Sequence, residues 1–258
     1  VSLATGELVA CEALLRWNHP ERGLQPPGLF IPIAEQSQQI AAIGYWALRE
    51  ACRRLREWQQ AGLDVVSVAV NVSLLQFRAA DFPQTVFATL DQFEIEPSAL
   101  SLEITESVFE EASGALLEQL QALRDLGIRL SLDDFGTGYS SLAYLQNFSF
   151  DEIKVDRCFV ARVLDDRYSR TVLQAIKGIA DALGVELIAE GIESEAVRQA
   201  LIDLGYHFGQ GYLFSVPLET EDFRWLLEKS SRLPLQTSDE AARRHHSPRP
   251  TDRRHPRD

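Results

Sequence analysis

Residues 172–191, VLQAIKGIADALGVELIAEG, contain a helical pattern, a glycine and a strand-like run in close succession. Apolar residues recur at three- or four-residue steps before the glycine, which predicts a helix with one apolar stripe facing the core. The residues of this stripe are Val172, Ile176, Ile179 and Leu183. Gly184 is placed to cap the helix in the left-handed conformation, and the β-prone run after it is typical of a strand buried on both faces of a parallel sheet. The run closes on an acid, Glu190.

The same succession occurs four times along the chain. The four glycines are Gly62, Gly127, Gly184 and Gly205. Strand-like runs lie near residues 8–16, 65–72, 100–105, 128–134, 151–156, 185–189 and 207–213. Such runs, separated by helical patterns in a chain of 258 residues, predict an α/β fold of the (β/α)8 TIM-barrel type. A doubly wound open sheet is the alternative, and it is less favoured because no glycine-rich phosphate loop opens a helix.

Composition restricts the class of protein. Apolar residues make up 45% of the chain, and no apolar run reaches the roughly 18 residues that a membrane-spanning helix requires. The net charge of −13 makes duplex nucleic acid and anionic membranes poor partners. The three cysteines, Cys11, Cys52 and Cys158, are odd in number and far apart, which predicts packed thiols in a reducing cytoplasm.

The composition changes near residue 236. Residues 237–258 contain six Arg, three His and three Pro, which predicts a disordered tail after a folded domain of residues 1–236. An interaction arm is the alternative for this tail. The chain lacks Met and opens without a charged-then-apolar leader, so we expect no signal peptide and a piece of a longer protein.

Five acids and one asparagine stand where predicted strands stop. They are Glu12, Asn71, Glu103, Asp133, Asp134 and Glu190. The carboxyl ends of barrel strands share one face, and carboxylates crowded there need a counter-charge. Donors that are all oxygen favour Mg²⁺ or Mn²⁺ over zinc, and a set this large indicates two ions that share Asp133.

Each acid also has a simpler interpretation as a helix N-cap or a surface charge. That interpretation is favoured for Glu106, Asp156 and Glu193 taken singly. It does not suit the group, because acids interrupt four separate β-prone runs just before the chain turns. Lys154, within DEIKVD, points a cation into the same rim. Alone it is better explained as a salt-bridge partner, whereas beside a metal site it can position an attacking water.

Ordered motifs connect these residues along the chain. They are EALLRW from residue 12, NVS at 71–73, EITES at 103–107, DDFGTGYSSL at 133–142, IKVD at 153–156, AEGIES at 189–194 and GQGYLF at 209–214. In this order they resemble the EAL domain family of cyclic di-GMP phosphodiesterases, over residues 1 to about 228. The resemblance implies an EAL-type TIM-like barrel whose first strand is truncated, because VSLATGEL matches only the end of that element.

The resemblance also implies a role for each matching residue. One metal is bound by Glu12, Asn71, Glu103 and Asp133, and the second by Asp133, Asp134 and Glu190. The catalytic residues are Lys154, Glu190 and Asp134, with Lys154 at the attacking water. The substrate contacts are Leu14, Arg16 and Gln210, with Arg16 at a phosphate. Glu106 anchors the DFGTGYSS loop.

The implied activity is hydrolysis of cyclic di-GMP to linear pGpG by in-line attack of water, with two Mg²⁺ or Mn²⁺ ions and with Ca²⁺ as an inhibitor. The alternative is a catalytically silent receptor for cyclic di-GMP or a protein-interaction module. Such relatives lose metal ligands that this chain retains. A third interpretation, an unrelated metal-dependent barrel hydrolase, follows from the carboxylates alone.

The resemblance further implies partners and a location. We expect a homodimer through residues 134–141, and an upstream sensory or GGDEF domain in the full-length protein. The expected location is the bacterial cytoplasm, and domains absent from this sequence can anchor the full-length protein to the membrane.

Overall fold

Parallel strands alternate with helices along the chain. The structure is a computed structural model that describes residues 1–63, 67–106, 114–136 and 148–229, together with Val108 and Leu145. The strands are β1 (Cys11–Ala13), β2 (Trp17–His19), β3 (Gly23–Gln25), β4 (Val68–Asn71), β5 (Leu100–Thr105), β6 (Arg129–Phe135), β7 (Glu152–Val155), β8 (Glu186–Ala189) and β9 (Phe208–Gly209). The helices are α1 (Pro27–Gln36), α2 (Ile40–Gln60), α3 (Leu74–Phe77), α4 (Phe82–Phe93), α5 (Gly114–Asp125), α6 (Arg157–Val160), α7 (Arg167–Leu183), α8 (Glu195–Asp203) and α9 (Thr220–Lys229).

Seven of the described strands form one sheet in the order β1-β4-β5-β6-β7-β8-β9. Every neighbouring pair is parallel, as strands joined by crossover helices must be. The predicted α/β fold of the TIM-barrel type is confirmed. Since parallel strands end at one edge, all the strand-end residues of this sheet meet at a single rim.

The first residues of the chain lie beside the last strand. Ser2 forms an antiparallel bridge with Phe208. The Leu3 N–H donates to the His207 carbonyl over 2.8 Å, and the Gly209 N–H donates to the Val1 carbonyl over 3.1 Å. The element expected to be the truncated first strand is therefore present as a short antiparallel contact.

The seven predicted strand runs all contain strands, but the first and last strands are shorter than predicted. Residues 8–16 provide only the three residues of β1, and residues 207–213 provide only the two of β9. Soon after β1, the chain forms an antiparallel hairpin of β2 and β3, in which Asn18 pairs with Leu24. This hairpin was not predicted.

The buried stripe of α7 is displaced from the predicted one. Its buried residues are Ser169, Leu173, Ile176 and Ala180. The prediction for Leu183 is wrong, since its side chain is 41% exposed at the last helical position. Gly184 caps this helix with a φ of +70°, as predicted.

The apolar core extends from Leu3 to Phe214 and fills the space between the sheet and its helices. The prediction of packed thiols is correct for Cys52, which is buried, and wrong for Cys158, which is exposed. Among the described residues, no helix is long and apolar enough to cross a membrane.

Candidate metal and catalytic centre

Two adjacent aspartates of β6 lie at an irregularity in the sheet. The register between β6 and β7 shifts between Leu132 and Phe135. Asp134 has a φ of +56°, a conformation that Asp adopts more readily than most residues, and its N–H donates to Asp133 Oδ1 over 3.0 Å. Successive side chains of a regular strand point to opposite faces. The irregularity explains how both carboxylates reach the same rim.

Lys154 on β7 contacts acids from four other segments. Its Nζ lies 2.9 Å from Glu103 Oε1 and 2.9 Å from Glu190 Oε1. Glu12 Oε2 and Asp133 Oδ1 are each 3.3 Å away. Lys154 is 2% exposed and Glu103 is 3% exposed, so these charges are shielded from water and must compensate one another.

Two side-chain amides connect the same carboxylates. Asn71 Nδ2 donates to Glu12 Oε1 over 2.9 Å and to Glu103 Oε2 over 3.0 Å. Gln210 Nε2 donates to Glu12 Oε2 and to Glu190 Oε1, each over 2.9 Å. Because each amide donates through its nitrogen, the oxygen is the atom it can offer to a cation.

Burial and the close approach of like charges shift the pKa values of the acids in this cluster. Burial, with the nearby charges of Glu12 and Asp133, raises the pKa of Glu103 well above its usual value despite Lys154. Burial also raises the pKa of Glu190 to about 7, with Asp133 adding to the effect. Burial acts in the same direction on Glu12, but Lys154 and the two amides outweigh it and hold the pKa of Glu12 below its usual value. Ionising all of these acids therefore requires more positive charge than the lysine supplies.

The donor set suits hard divalent cations. Asp133, Asp134 and Glu190 each offer a carboxylate oxygen within 4.8 Å of the others. These are the three residues that the resemblance assigns to the second ion. The remaining predicted ligands, Glu12, Asn71 and Glu103, are joined by the Asn71 amide. Oxygen donors of this kind are typical of Mg²⁺ and Mn²⁺ sites.

A cavity of about 600 Å³ opens beside the cluster. Its wall includes Leu14 and Arg16, which follow β1, and Gln210, which follows β9. Leu14 is 45% exposed, and Arg16 Nη1 donates to the Leu15 carbonyl over 2.7 Å. Gln210 uses its amide nitrogen on two carboxylates in this structure, so its direct contact with substrate stays a prediction.

Glu106 lies beside the start of the predicted loop. Its Oε2 accepts the Gly136 N–H over 3.4 Å, and its own N–H donates to the Asp133 carbonyl over 3.3 Å. The side chain is buried. Residues 137–141 of the loop are outside the described residues, so the anchor role stays a prediction, as does the dimer contact through 134–141.

The simpler interpretation is confirmed for Asp156 and a further residue appears next to it. Asp156 Oδ1 accepts the Cys158 N–H over 2.8 Å and caps α6. Arg157, for which no role was predicted, lines the cavity, as does the exposed Glu193. The available sequence signal for Arg157 is its place directly after the strand that carries Lys154.

Comparison with known families gives one match across the domain. The model of the EAL domain matches residues 1–217. The chain is 40% identical over 233 residues to the oxygen sensor protein DosP of Escherichia coli. It is 41% identical over 216 residues to the bifunctional diguanylate cyclase/cyclic di-GMP phosphodiesterase MucR of Pseudomonas aeruginosa. These matches cover 90% and 84% of this chain but 29% and 32% of the relatives, so the chain spans less than a third of their length.

Solved structures with the same fold include complexes with cyclic nucleotides. The PaMucR phosphodiesterase in its c-di-GMP complex superposes with a TM-score of 0.82 at 40% identity, covering 86% of this chain and 90% of that one. The EAL enzyme Bd1971 in its cAMP- and cyclic-di-GMP-bound form gives a TM-score of 0.84 at 37% identity, covering 88% of this chain and 62% of that one.

Proposed function

The chain belongs to the EAL domain family, and we propose that it is a metal-dependent phosphodiesterase that hydrolyses cyclic di-GMP to linear pGpG. The observation that carries this proposal is the oxygen donor set assembled at one rim around Lys154. A catalytically silent receptor needs no such complete set. The cyclic di-GMP complex of the similar PaMucR phosphodiesterase supports the choice of ligand.

The residues present fit a pair of divalent cations. Glu12, Asn71, Glu103 and Asp133 would hold one ion, and Asp133, Asp134 and Glu190 the other. Such ions, when bound, offset the charge of the phosphate and acidify water. The raised pKa values of Glu103 and Glu190 fit this assignment, because crowded acids lack sufficient counter-charge without added cations.

Lys154 is the proposed positioning group for the attacking water. Its ammonium is fixed by Glu12, Glu103, Asp133 and Glu190 from different sides, so it is held in place before substrate arrives. A fixed donor at the reacting centre lowers the cost of ordering the nucleophile. Water adds to one phosphorus and loses a proton to a carboxylate of the cluster. The bond from that phosphorus to the 3′ oxygen breaks, this oxygen takes up a proton from solvent to become a hydroxyl, and the ring opens to linear pGpG.

The acids near Lys154 have two further proposed roles. Glu190 lies 2.9 Å from Nζ, the ammonium proposed to position the attacking water, so its carboxylate is placed to accept a proton from that water. Partial desolvation and the charge of Asp133 raise the pKa of Asp134 as well, and the exposed position of this residue allows contact with the reacting phosphate.

Substrate binding is assigned to the cavity wall. The Arg16 guanidinium can hold a phosphate through two parallel hydrogen bonds, and Leu14 offers apolar surface to the nucleotide. Gln210 donates hydrogen bonds to Glu12 and Glu190 and so holds both carboxylates in place. We propose that it also contacts the bound nucleotide. We also propose a homodimer through residues 134–141 and an upstream sensory or GGDEF domain.

The test is turnover of cyclic di-GMP, with pGpG separated chromatographically, in Mg²⁺, Mn²⁺, Ca²⁺ and EDTA. We expect product with Mg²⁺ and Mn²⁺, none with EDTA, and inhibition by Ca²⁺, which prefers longer bonds and more ligands. Glu12→Gln should abolish turnover, whereas Glu118→Gln, an exposed acid on α5, should not change it. Full activity in excess EDTA contradicts the metal requirement, and tight binding of cyclic di-GMP in Mg²⁺ without product identifies a silent receptor.

A further inference from the structure

Among the described residues, three arginines line the cavity, and they differ in whether their charges are paired with acids. Arg54 on α2 is neutralised by acids, with Nε 2.9 Å from Glu50 Oε1 and Nη1 3.3 Å from Glu57 Oε2. Within the described ranges, Arg16 donates only to the Leu15 carbonyl. Arg157 is exposed, and its side chain forms no hydrogen bond or ion pair with any residue in the part of the chain that the structure describes. Arg16 and Arg157 therefore carry positive charges that are available to a ligand.

The backbone around Arg157 is fixed next to the centre. Val155 pairs with Ala189, and the Glu190 N–H donates to the Val155 carbonyl over 3.0 Å. The stem of Arg157 packs against Gly191, where an added Cβ would lie 2.4 Å from Arg157 Cβ. Gly191 thus permits Arg157 to lie against the residue that follows Glu190.

Arg16 and Arg157 flank the site from different strands. Arg16 follows β1 and Arg157 follows β7, and the cavity wall that contains both arginines also contains Glu190 and Gln210, which follow β8 and β9. A cyclic dinucleotide carries two phosphates on opposite sides of its ring. The phosphate being hydrolysed must lie at the carboxylate cluster, where divalent cations would offset its charge. The other phosphate requires a cation from the protein, since the cavity wall also contains the acids Glu12, Glu190 and Glu193.

We propose that Arg157 binds the phosphate of the cyclic dinucleotide that is not being hydrolysed. This inference rests on the proposed function and adds a second cationic contact to Arg16. The planar guanidinium matches two phosphate oxygens through parallel hydrogen bonds, a geometry that a lysine ammonium does not reproduce. The contact acts on the bound substrate and on the transition state alike, so it stabilises binding without changing the chemical step.

The experiment measures the equilibrium affinity for cyclic di-GMP in Ca²⁺ by titration calorimetry. Arg157→Ala and Arg157→Gln should raise Kd by about 10-fold or more, the usual effect of losing a hydrogen bond to a charged group. Arg157→Lys should raise Kd less, because it keeps the charge. The matched control is Arg167→Ala, an exposed arginine on α7 outside the cavity wall, which should leave Kd unchanged.

A kinetic readout separates this role from a structural one. In Mg²⁺ we expect Arg157→Gln to raise KM by a similar factor while kcat stays within about 3-fold, as uniform binding requires. Unchanged Kd in both Arg157→Ala and Arg157→Gln, while the wild type binds, overturns the inference and leaves the proposed function standing. A fall in kcat at unchanged KM also overturns it. A wild type that binds no cyclic di-GMP in Ca²⁺, Mg²⁺ or Mn²⁺ overturns the proposed function and this inference together.

Discussion

Lys154 illustrates how one buried side chain depends on its surroundings. An isolated ammonium in an apolar interior is costly, yet here burial is outweighed by Glu103, Glu190, Glu12 and Asp133, which raise the pKa of Lys154 well above its usual value. The dependence is mutual, because the carboxylates lose their shared counter-charge if the lysine is removed. Removing one member of a buried charged group typically costs about 3–5 kcal/mol.

Lys154→Met is expected to separate stability, binding and chemistry. In EDTA its melting temperature should fall, because the acids around it lose their cation, and saturating Mg²⁺ should restore most of the loss. Turnover should fall by about 100-fold or more, the range for a lost group at the reacting water, while Kd for cyclic di-GMP in Ca²⁺ changes little. Arg16→Ala should show the reverse, a weaker Kd with a smaller effect on kcat. Equal losses of affinity in the two variants would contradict both assignments.

Glu106 is a residue whose proposed role is to position others. It accepts the Gly136 N–H and donates its own N–H to the Asp133 carbonyl, so it contacts both sides of the Asp133–Asp134 pair. We expect Glu106→Ala to fold but to bind Mg²⁺ about 10-fold more weakly, as partners of ligating residues commonly do, with turnover reduced in parallel. Glu106→Gln keeps an acceptor and should retain most of the affinity. An alanine variant with the wild-type rate at limiting Mg²⁺ refutes the anchor role.

At the scale of elements, close backbone packing holds the ends of β8 and β9 together. The Ile192 N–H donates to the Gln210 carbonyl over 3.1 Å, and the Leu213 N–H donates to the Ile192 carbonyl over 2.9 Å. Gly211 lies so close that an added Cβ would be 2.3 Å from the backbone N and O of Ile192. Since those atoms belong to backbone, they cannot rotate away as a side chain can.

Gly211→Ala should therefore separate the segments that carry Glu190 and Gln210. We expect a loss of about 1–3 kcal/mol of unfolding free energy, the range for overpacked sites, together with weaker metal binding. The matched control is Gly178→Ala on α7, where an added Cβ meets open space. That exposed helical position should gain about 0.5–1 kcal/mol. Thermal denaturation with and without Mg²⁺ measures both, and a Gly211→Ala protein as stable as the wild type would show that the packing is looser than described.

Across the whole molecule, one sheet supports both the apolar core and the carboxylate cluster at its rim. Core residues extend from Leu3 to Phe214, and the last described helix ends at Lys229. The donor residues are drawn from strands along the whole sheet and converge at its rim, while the helices pack outside. Residues 237–258 contain many charged side chains and almost no apolar ones.

Ending the chain at residue 236 should consequently leave the domain intact. We expect the melting temperature to stay within about 2 °C of the full chain, since a segment with almost no apolar side chains has little to contribute to an apolar core. Turnover at physiological salt should also be unchanged. A loss of about 5 °C or more in circular dichroism melting would place part of the tail in the folded domain instead.

The order of local patterns along the chain predicts the class of fold and names the acids that gather at the rim. Helical and strand-like runs alternate along the chain, with a glycine at the end of four of the helical runs. This local pattern predicts parallel strands whose ends share a rim. It also predicted the cap at Gly184 and the N-cap alternative for Asp156, because both depend on a few neighbouring residues. The predicted stripe through Leu183 was wrong because the exact buried face of a helix depends on what packs against it.

The contacts among those residues arise only in the folded chain. Gln210 and Glu12 are 198 positions apart in the chain, and their hydrogen bond exists only because the sheet curls β9 toward β1. The contacts of the four acids with Lys154 likewise depend on the folded sheet. So does the left-handed conformation of Asp134, which brings two adjacent carboxylates to one rim, and so does the position of Arg157 in the cavity wall. Contacts of this kind depend on strand register and curvature, which arise from the packing of all the elements together and which no local pattern encodes.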